Sequence, residues 1–209
     1  PPGGLVDPVA RVLAQKLTEA WGQPVVIDNK PGAGTILGTQ QLAKAAPDGY
    51  TVILASSNHA VNPAMHEKLP YDSVKDFVPI TLVATIPMML TVHPSMPVSS
   101  VPELVALLKK QPGKYNFSST GNGGTTHLAG ELFKSMTGVD IVHVPHKGSG
   151  PSVMSVMAGE SHMTFDTVYL QLPQVREGKL RALAVSTSKR TQLAPDIPTV
   201  SESGPTGYE

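Results

Sequence analysis

The chain has no cysteine. That removes disulfides, thiolate nucleophiles and cysteine-based zinc sites, and it fits an oxidising compartment without requiring one. It has no net charge either, since 16 Lys and Arg residues balance 16 Asp and Glu. A balanced chain lacks the electrostatic footprint of a nucleic-acid or anionic-membrane binder. No apolar run approaches the roughly 20 residues of a membrane span, and no charged-then-apolar segment reads as a secretory signal. Neither a nucleic-acid partner nor direct membrane insertion is expected. Internal repeats, low-complexity tracts and long charge runs are also missing.

What is present is punctuation. The 20 prolines and 19 glycines fall at the ends of periodic segments, as in a globular fold, and 209 residues can bury a core as one large domain or two small ones. Asp7 followed by Pro8 reads as an N-cap with proline at the first helical position. Val9, Val12, Leu13, Leu17 and Trp21 then recur at helical spacing up to Gly22, which puts Trp21 on the core-facing side. Strands are predicted at 25–27 and 51–55, with a glycine-rich turn and a helix through Gln41 and Ala45 between them. Residues 78–92, apolar, β-branched and broken by Pro87, read as two consecutive strands.

Alternation resumes at Ser100 and Glu103, spaced as a capping box before Leu104, Leu107 and Leu108, with Gly113 as the stop. Strands follow at 115–118, 141–144, 162–165 and 180–185, and helices around Leu128, Leu132, Phe133 and Met136 and around Val153 and Met157. Strands alternating with helical segments imply an α/β fold of parallel sheets covered by helices. The non-helical stretch between the two runs predicts two α/β lobes, 1–91 and 92–209.

In such folds ligands bind off the carboxyl ends of strands, where helix N-termini offer free N–H groups. Three strand-to-helix turns qualify. The first contains Gly3 and Gly4 just before Asp7. The second runs from Ser118 through Ser119, Gly121, Asn122, Gly123 and Thr125 to Thr126, nine small or polar residues and the clearest binding signal in the chain. Tight turns favour the same residues for conformational reasons alone. In the third, His146 and Lys147 precede Gly148 and Ser149. Ser149 reads as a helix cap, and Lys147 as a counter-charge or a solvated lysine. Asp166 ends a strand at the same edge, where it receives a ligand hydroxyl or amine, fixes facing loop amides, or caps the next helix.

Other chemistries lack their parts. Gly32, Gly34 and Gly38 follow a strand, but no acidic residue ends the next strand to hold a ribose. His127 and Glu131 lie four apart on one helix without a third metal ligand, so helix-terminal hydrogen bonding is the safer reading, and His143 and His146 would point to opposite faces if the strand continued. No Gly-x-Ser-x-Gly elbow presents a nucleophile. No catalytic residue, metal or cofactor is expected; an enzyme using Asp166 or His127 as general base is the rival reading.

An ordered set of strings then carries a resemblance. It includes Pro1-Pro2-Gly3-Gly4 with Asp7, Asn29-x-Pro31-Gly32-Ala33-Gly34, Ala46-Pro47-Asp48-Gly49-Tyr50, Leu69-Pro70-Tyr71-Asp72, His127-Leu128-Ala129-Gly130-Glu131, Val142-His143-Val144-Pro145 and Phe165-Asp166. The chain resembles the Bug-type substrate-binding proteins of tripartite tricarboxylate transport along nearly its whole length. The resemblance implies a type II periplasmic binding-protein fold whose two lobes close on a ligand carboxylate held by backbone amides and bridging waters. Carried over residue by residue, the ligand-binding set is Gly3, Gly4, Asp7, Ser57 and Asn58 from the first lobe. The second lobe adds Ser119, Gly121, Gly123, Thr125, Gly148, Ser149 and Asp166.

Two departures flank that pocket: His146 replaces the family's usual tyrosine, and Thr167 its usual asparagine. The resemblance also implies further chain at both ends, a first strand before the Pro-Gly-Gly turn and a segment that completes the first lobe. The expected protein is a periplasmic monomer that captures a di- or tricarboxylate, an acidic amino acid or an aromatic carboxylate for a tripartite membrane transporter. A sensing or scavenging module serving a signalling partner is the alternative.

Overall fold

A computed structural model describes residues 6–209, and they form two units, Pro1–Thr81 and Leu82–Glu209. The division falls earlier than the expected boundary at 91/92, because the strand at that boundary is hydrogen-bonded into the second unit's sheet.

In the first unit α1 (Val6–Trp21) starts before the expected cap, so Asp7 and Pro8 sit inside its first turn. Its inner stripe holds the buried Ala14 and the half-buried Ala10, Leu13 and Leu17, the i, i+3, i+4, i+7 spacing of a one-sided helix. Trp21, expected in the core, is 64% exposed at the helix end. Both oxygens of the buried Asp7 carboxylate are engaged, by Arg11 Nε and Asn29 Nδ2, each at 3.0 Å.

A single helical turn at Ala33–Thr35 leads into α2 (Ile36–Ala43), and α3 spans Asn58–Met65. Buried Asn62 of α3 donates to Gly34 O at 3.2 Å, joining α3 to that turn. The expected strands at 25–27 and 51–55 and the one before Pro87 do not form ladders among the described residues. Val26, Val52, Val78 and Ile80 stand exposed instead. Side-chain pattern sets strand propensity, but a strand exists only against a hydrogen-bonded neighbour.

The second unit is a five-stranded sheet in the order β3-β2-β4-β1-β5. Its strands are β1 (Met88–Val92), β2 (Asn116–Ser119), β3 (Val142–Pro145), β4 (Met163–Thr167) and β5 (Arg181–Val185). β2 pairs in parallel with β3 and β4, whereas β1 is antiparallel to both β4 and β5. Four strands therefore run one way, and β1 alone corrects the expectation of a wholly parallel sheet.

The helices are α4 (Val101–Lys110), α5 (Thr125–Thr137), α6 (Ser149–Met157), α7 (Val168–Arg176) and the short α8 (Val200–Ser203). Ser100 caps α4 by accepting the Glu103 N–H at 3.4 Å, but the return bond from Glu103 goes to Ser99 N–H at 2.7 Å, one residue earlier than a capping box requires. Gly138 ends α5 in the left-handed conformation, donating its N–H to Lys134 O at 2.8 Å.

Alternation along the strands divides the core. Leu90, Phe117, Phe165, Leu104, Phe133 and Tyr208 fill the face under α4 and α5. On the opposite face Met89, Val168 and Val185 pack with α7, and Val153, Val156 and Leu180 under α6. Small polar residues take that face at the centre: Ser118 Oγ donates to Ser152 O at 3.0 Å, and Thr164 Oγ1 to Ser118 O at 2.9 Å. These bonds satisfy each buried hydroxyl and let α6 lie close to the sheet.

Gly130 of α5 packs directly on the fully buried Phe117 ring, and a Cβ there would overlap it. Gly130→Ala is expected to destabilise the protein by about 1–3 kcal/mol through overpacking, whereas Gly150→Ala, where nothing lies within 4 Å of the new methyl, leaves stability unchanged or slightly raised. Chemical denaturation of both variants reads the difference.

Candidate functional site

The strand order decides where a ligand has room. β2 leads through α5 to β3 on one side, and β3 leads through α6 back across to β4 on the other. The connections reverse direction between β2 and β4, the switch point where α/β sheets open a crevice at their carboxyl edge. Ladder pairing of the two strands stops at Ser118 and Thr164, although β4 continues to Thr167. Beyond it the chain after β2 turns toward α5 and the chain after β4 toward α7, onto opposite faces.

That edge gathers seven of the predicted residues, all in the second unit. Ser119 ends β2, and its Oγ accepts the Gly121 N–H at 3.1 Å. Gly121 and Gly123 adopt φ of 127° and 72°, which side-chain-bearing residues rarely reach, so the turn needs glycine there. Thr125 opens α5, whose first-turn N–H groups have no acceptor within the helix. Gly148 (φ 111°) precedes Ser149, the first residue of α6 rather than its cap, and no side-chain cap bond forms there. The edge is therefore built of amides and hydroxyls; Lys147 is exposed.

Asp166 is fully buried. Its Oδ1 accepts the Thr167 N–H at 2.7 Å, and its Oδ2 has no hydrogen bond of good geometry. Burial pushes its carboxyl above the ordinary value of 3.8, while the Thr167 N–H and the Ser149 and Thr167 hydroxyls pull the other way. It braces the starts of α6 and α7 from beneath rather than facing solvent.

The remaining predicted residues belong to the first unit. Asp7 is engaged by Arg11 and Asn29, and Ser57 and Asn58 stand at the start of α3. Asn58 Oδ1 accepts the Ser56 hydroxyl at 3.3 Å. Gly3 and Gly4 lie outside the described residues.

Several contributors stand outside the predicted ligand-binding set. Buried Thr126 accepts the Thr120 N–H at 2.9 Å, locking the turn to α5. His127, read above as a helix-terminal hydrogen bonder and as the rival general base, and His143, weighed only as a metal ligand, both contact the turn, at Gly123 and Ser119. Burial, and then the neighbouring His127, hold His143 below the ordinary histidine value. A histidine placed two residues from a strand's end and another three after the turn were the available signal.

Residues 9–209 match the model of the tripartite tricarboxylate transporter family receptor. The chain belongs to that family. It is 40% identical over 206 residues to protein BugT of Bordetella pertussis, covering 98% of this chain and 63% of BugT. Among solved structures it superposes on R. palustris Rpa4515 with adipate at a TM-score of 0.83 and 38% identity, covering 100% of this chain and 70% of that one. MatC (Rpa3494) of Rhodopseudomonas palustris with bound malate gives a TM-score of 0.80 at 31% identity, covering 100% and 71%. The family is one of solute-binding receptors and not of enzymes, and the α/β fold is that of periplasmic solute-binding proteins, as the resemblance implied. The chain spans about three fifths of the length of the curated relatives it matches.

The buried Asp166 gives a pH signature. A raised value means that the folded protein holds the proton more tightly than the unfolded chain, so stability falls as pH rises from 3.8 to the folded value and stays lowered at neutral pH. Asp166→Asn, isosteric and uncharged, is expected to raise the melting temperature at neutral pH, with the gain vanishing in acid. A variant less stable than wild type at neutral pH would show that the bonds from Thr167 and Ser149 outweigh burial.

Proposed function

We propose that this receptor captures a small organic carboxylate at the carboxyl edge between β2 and β4 and passes it, unchanged, to a tripartite membrane transporter in the periplasm. The observation that carries the reading is the convergence of three strand ends, two glycine-containing turns and the N-termini of α5 and α6 on one edge built of amides and hydroxyls. Helix N-termini and turn amides favour an anion through their partial positive charge. They do so without burying a lysine or arginine, whose desolvation costs several kcal/mol.

The roles follow from position. Thr125 and the rest of α5's first turn bring backbone N–H groups to a carboxylate, over the bend that Gly121 and Gly123 make with their own N–H groups bonded to Ser119 and His127, and Gly148 and Ser149 bring those of α6. Ser119 holds the first turn in shape, and Asp166 fixes the starts of α6 and α7 beneath the ligand. Binding is the whole event, with no bond made or broken. Rpa4515 with adipate and MatC with malate support a dicarboxylate as the ligand class.

A thermal-shift panel of adipate, malate, citrate, glutamate and benzoate is the test. A ligand at one hundred times its Kd adds about 2.7 kcal/mol of stability, so one acid is expected to raise the melting temperature selectively and to be recovered intact. Gly121→Ala is expected to weaken that acid by about tenfold or more, since a Cβ strains the positive-φ turn by about 1–3 kcal/mol. No shift across the panel, or consumption of the acid, sinks the proposal.

A further inference from the structure

Two histidine rings lie face to face beside the 119–124 turn. His127, in the first turn of α5, and His143, on β3, stack with centroids 3.9 Å apart and planes 25° from parallel. Phe117 of β2 stacks on His143 in turn, at 4.9 Å. Each imidazole touches a different end of the turn. His143 Nε2 lies 2.5 Å from the Ser119 hydroxyl, the same oxygen that accepts the Gly121 N–H at 3.1 Å. His127 Nδ1 accepts the Gly123 N–H at 3.1 Å.

We propose that His127 and His143 are positioning residues that hold the 119–124 turn from both ends in its ligand-receiving shape, and that protonation of His127 releases it. The proposal rests on the reading of that turn as the ligand site.

The chemistry is one of lone pairs. A backbone N–H can be accepted only by a ring nitrogen that carries no hydrogen, so the bond to Gly123 requires neutral His127 with its hydrogen on Nε2. A second proton on that ring sets two donors against each other, and the bond breaks. Ser119 tolerates either state of His143: it donates to a bare Nε2, or accepts from a protonated one and turns its own hydrogen to Gly121 O, 3.3 Å away. The stack is less tolerant, since two imidazolium rings 3.9 Å apart repel. Because Ser119 accommodates both states of His143, the proton-sensitive bond is the one at Gly123.

The groups facing the pair are few. On α5, Glu131 Oε1 lies 3.9 Å from His127 Nε2 and favours its cation, but Lys134 engages the same carboxylate oxygen at 2.9 Å and offsets it. His146, beyond β3, opposes charge on His143. Phe117 and Ser119 of β2 carry none, Asp166 lies on the sheet's other face, and Tyr208, bonded to Ala129 O further along α5, stays neutral.

The test is an NMR titration of the 15N-labelled protein without ligand, from about pH 8 to about pH 5, across the histidine range. The Gly123 amide is expected to shift, and its protection relative to the intrinsic exchange rate to fall about fivefold, the loss of one ordinary hydrogen bond, with the midpoint of the His127 ring. His127→Gln abolishes that titration. His143→Phe keeps the stack but unties Ser119 from β3, leaving its hydroxyl only Gly121 O to donate to, and is expected to lower the protection of the Gly121 amide at every pH. A Gly123 amide indifferent to pH, or one that keeps its midpoint in a folded His127→Gln variant, overturns the proposal. Adipate and malate titrations run alongside separate the two readings. A turn that opens with His127 in a protein binding neither acid sustains this inference and removes the binding one; binding with an unresponsive Gly123 does the reverse.

Discussion

β4 is hydrogen-bonded in parallel to β2 on one side and antiparallel to β1 on the other, and the second unit's useful geometry follows from that placement. Because β3 lies beyond β2, the chain must cross from one side of β2 to the other to reach β4, and the crossing puts α5 and α6 on opposite faces. Opposite faces mean diverging turns, and diverging turns leave a crevice. Were β4 to pair with β3 instead, α5 and α6 would share a face and the edge would close. The pairing itself is secured from α6's face, where Ser118, Ser152 and Thr164 bond one another beneath the helix. The hydroxyls that settle the strand order are thus one residue below those that line the site.

What could be read in the sequence was what is local. The four parallel strands of the second unit were legible to within two residues because each is an apolar run bounded by Gly, Pro or Ser. The turns at 119–124 and 146–148 were legible because glycines at positive φ leave no doubt about where the backbone bends. The direction of β1 was not, since its partners, 163–167 and 181–185, lie far along the chain. The first unit's strands failed for the same reason. Val26 and Val52 have the right propensity and no hydrogen-bonded neighbour among the described residues. Asp166 was located correctly at a strand end, but its depth depends on α6 and α7 closing over it, which no spacing reveals.

The histidines show the limit most clearly. His143 meets Ser119 because β3 and β2 pair in register, Ser119 against Pro145 and Phe117 against His143. His127 meets His143 only because α5 folds back over both strands. From the sequence, His127 and Glu131 read as helix-terminal hydrogen bonding rather than a metal pair, and Glu131 does face the ring. The ring's more consequential contact is the backbone of Gly123, four residues earlier, and helical geometry alone explains it: a side chain in a helix's first turn leans toward the N-terminus and reaches the turn that precedes it.

The proposed site of amides has one weakness, and the histidines address it. Backbone N–H groups stabilise an anion only when the loop that carries them is already bent the right way; a floppy glycine turn forfeits in ordering entropy what the dipoles contribute. Glycine is needed here for its positive φ, so the turn cannot be stiffened by its own side chains. Rigidity has to come from outside, and it does so from Thr126, His127 and His143, all bonded to backbone or hydroxyl groups of the turn. A lysine or arginine in those places would stiffen the turn as well, but it would neutralise the ligand with a fixed charge and tie affinity to that single pair. Under the proposed function, neutral imidazoles hold the loop and leave the anion to the amides, at the cost of making the loop's shape depend on a proton.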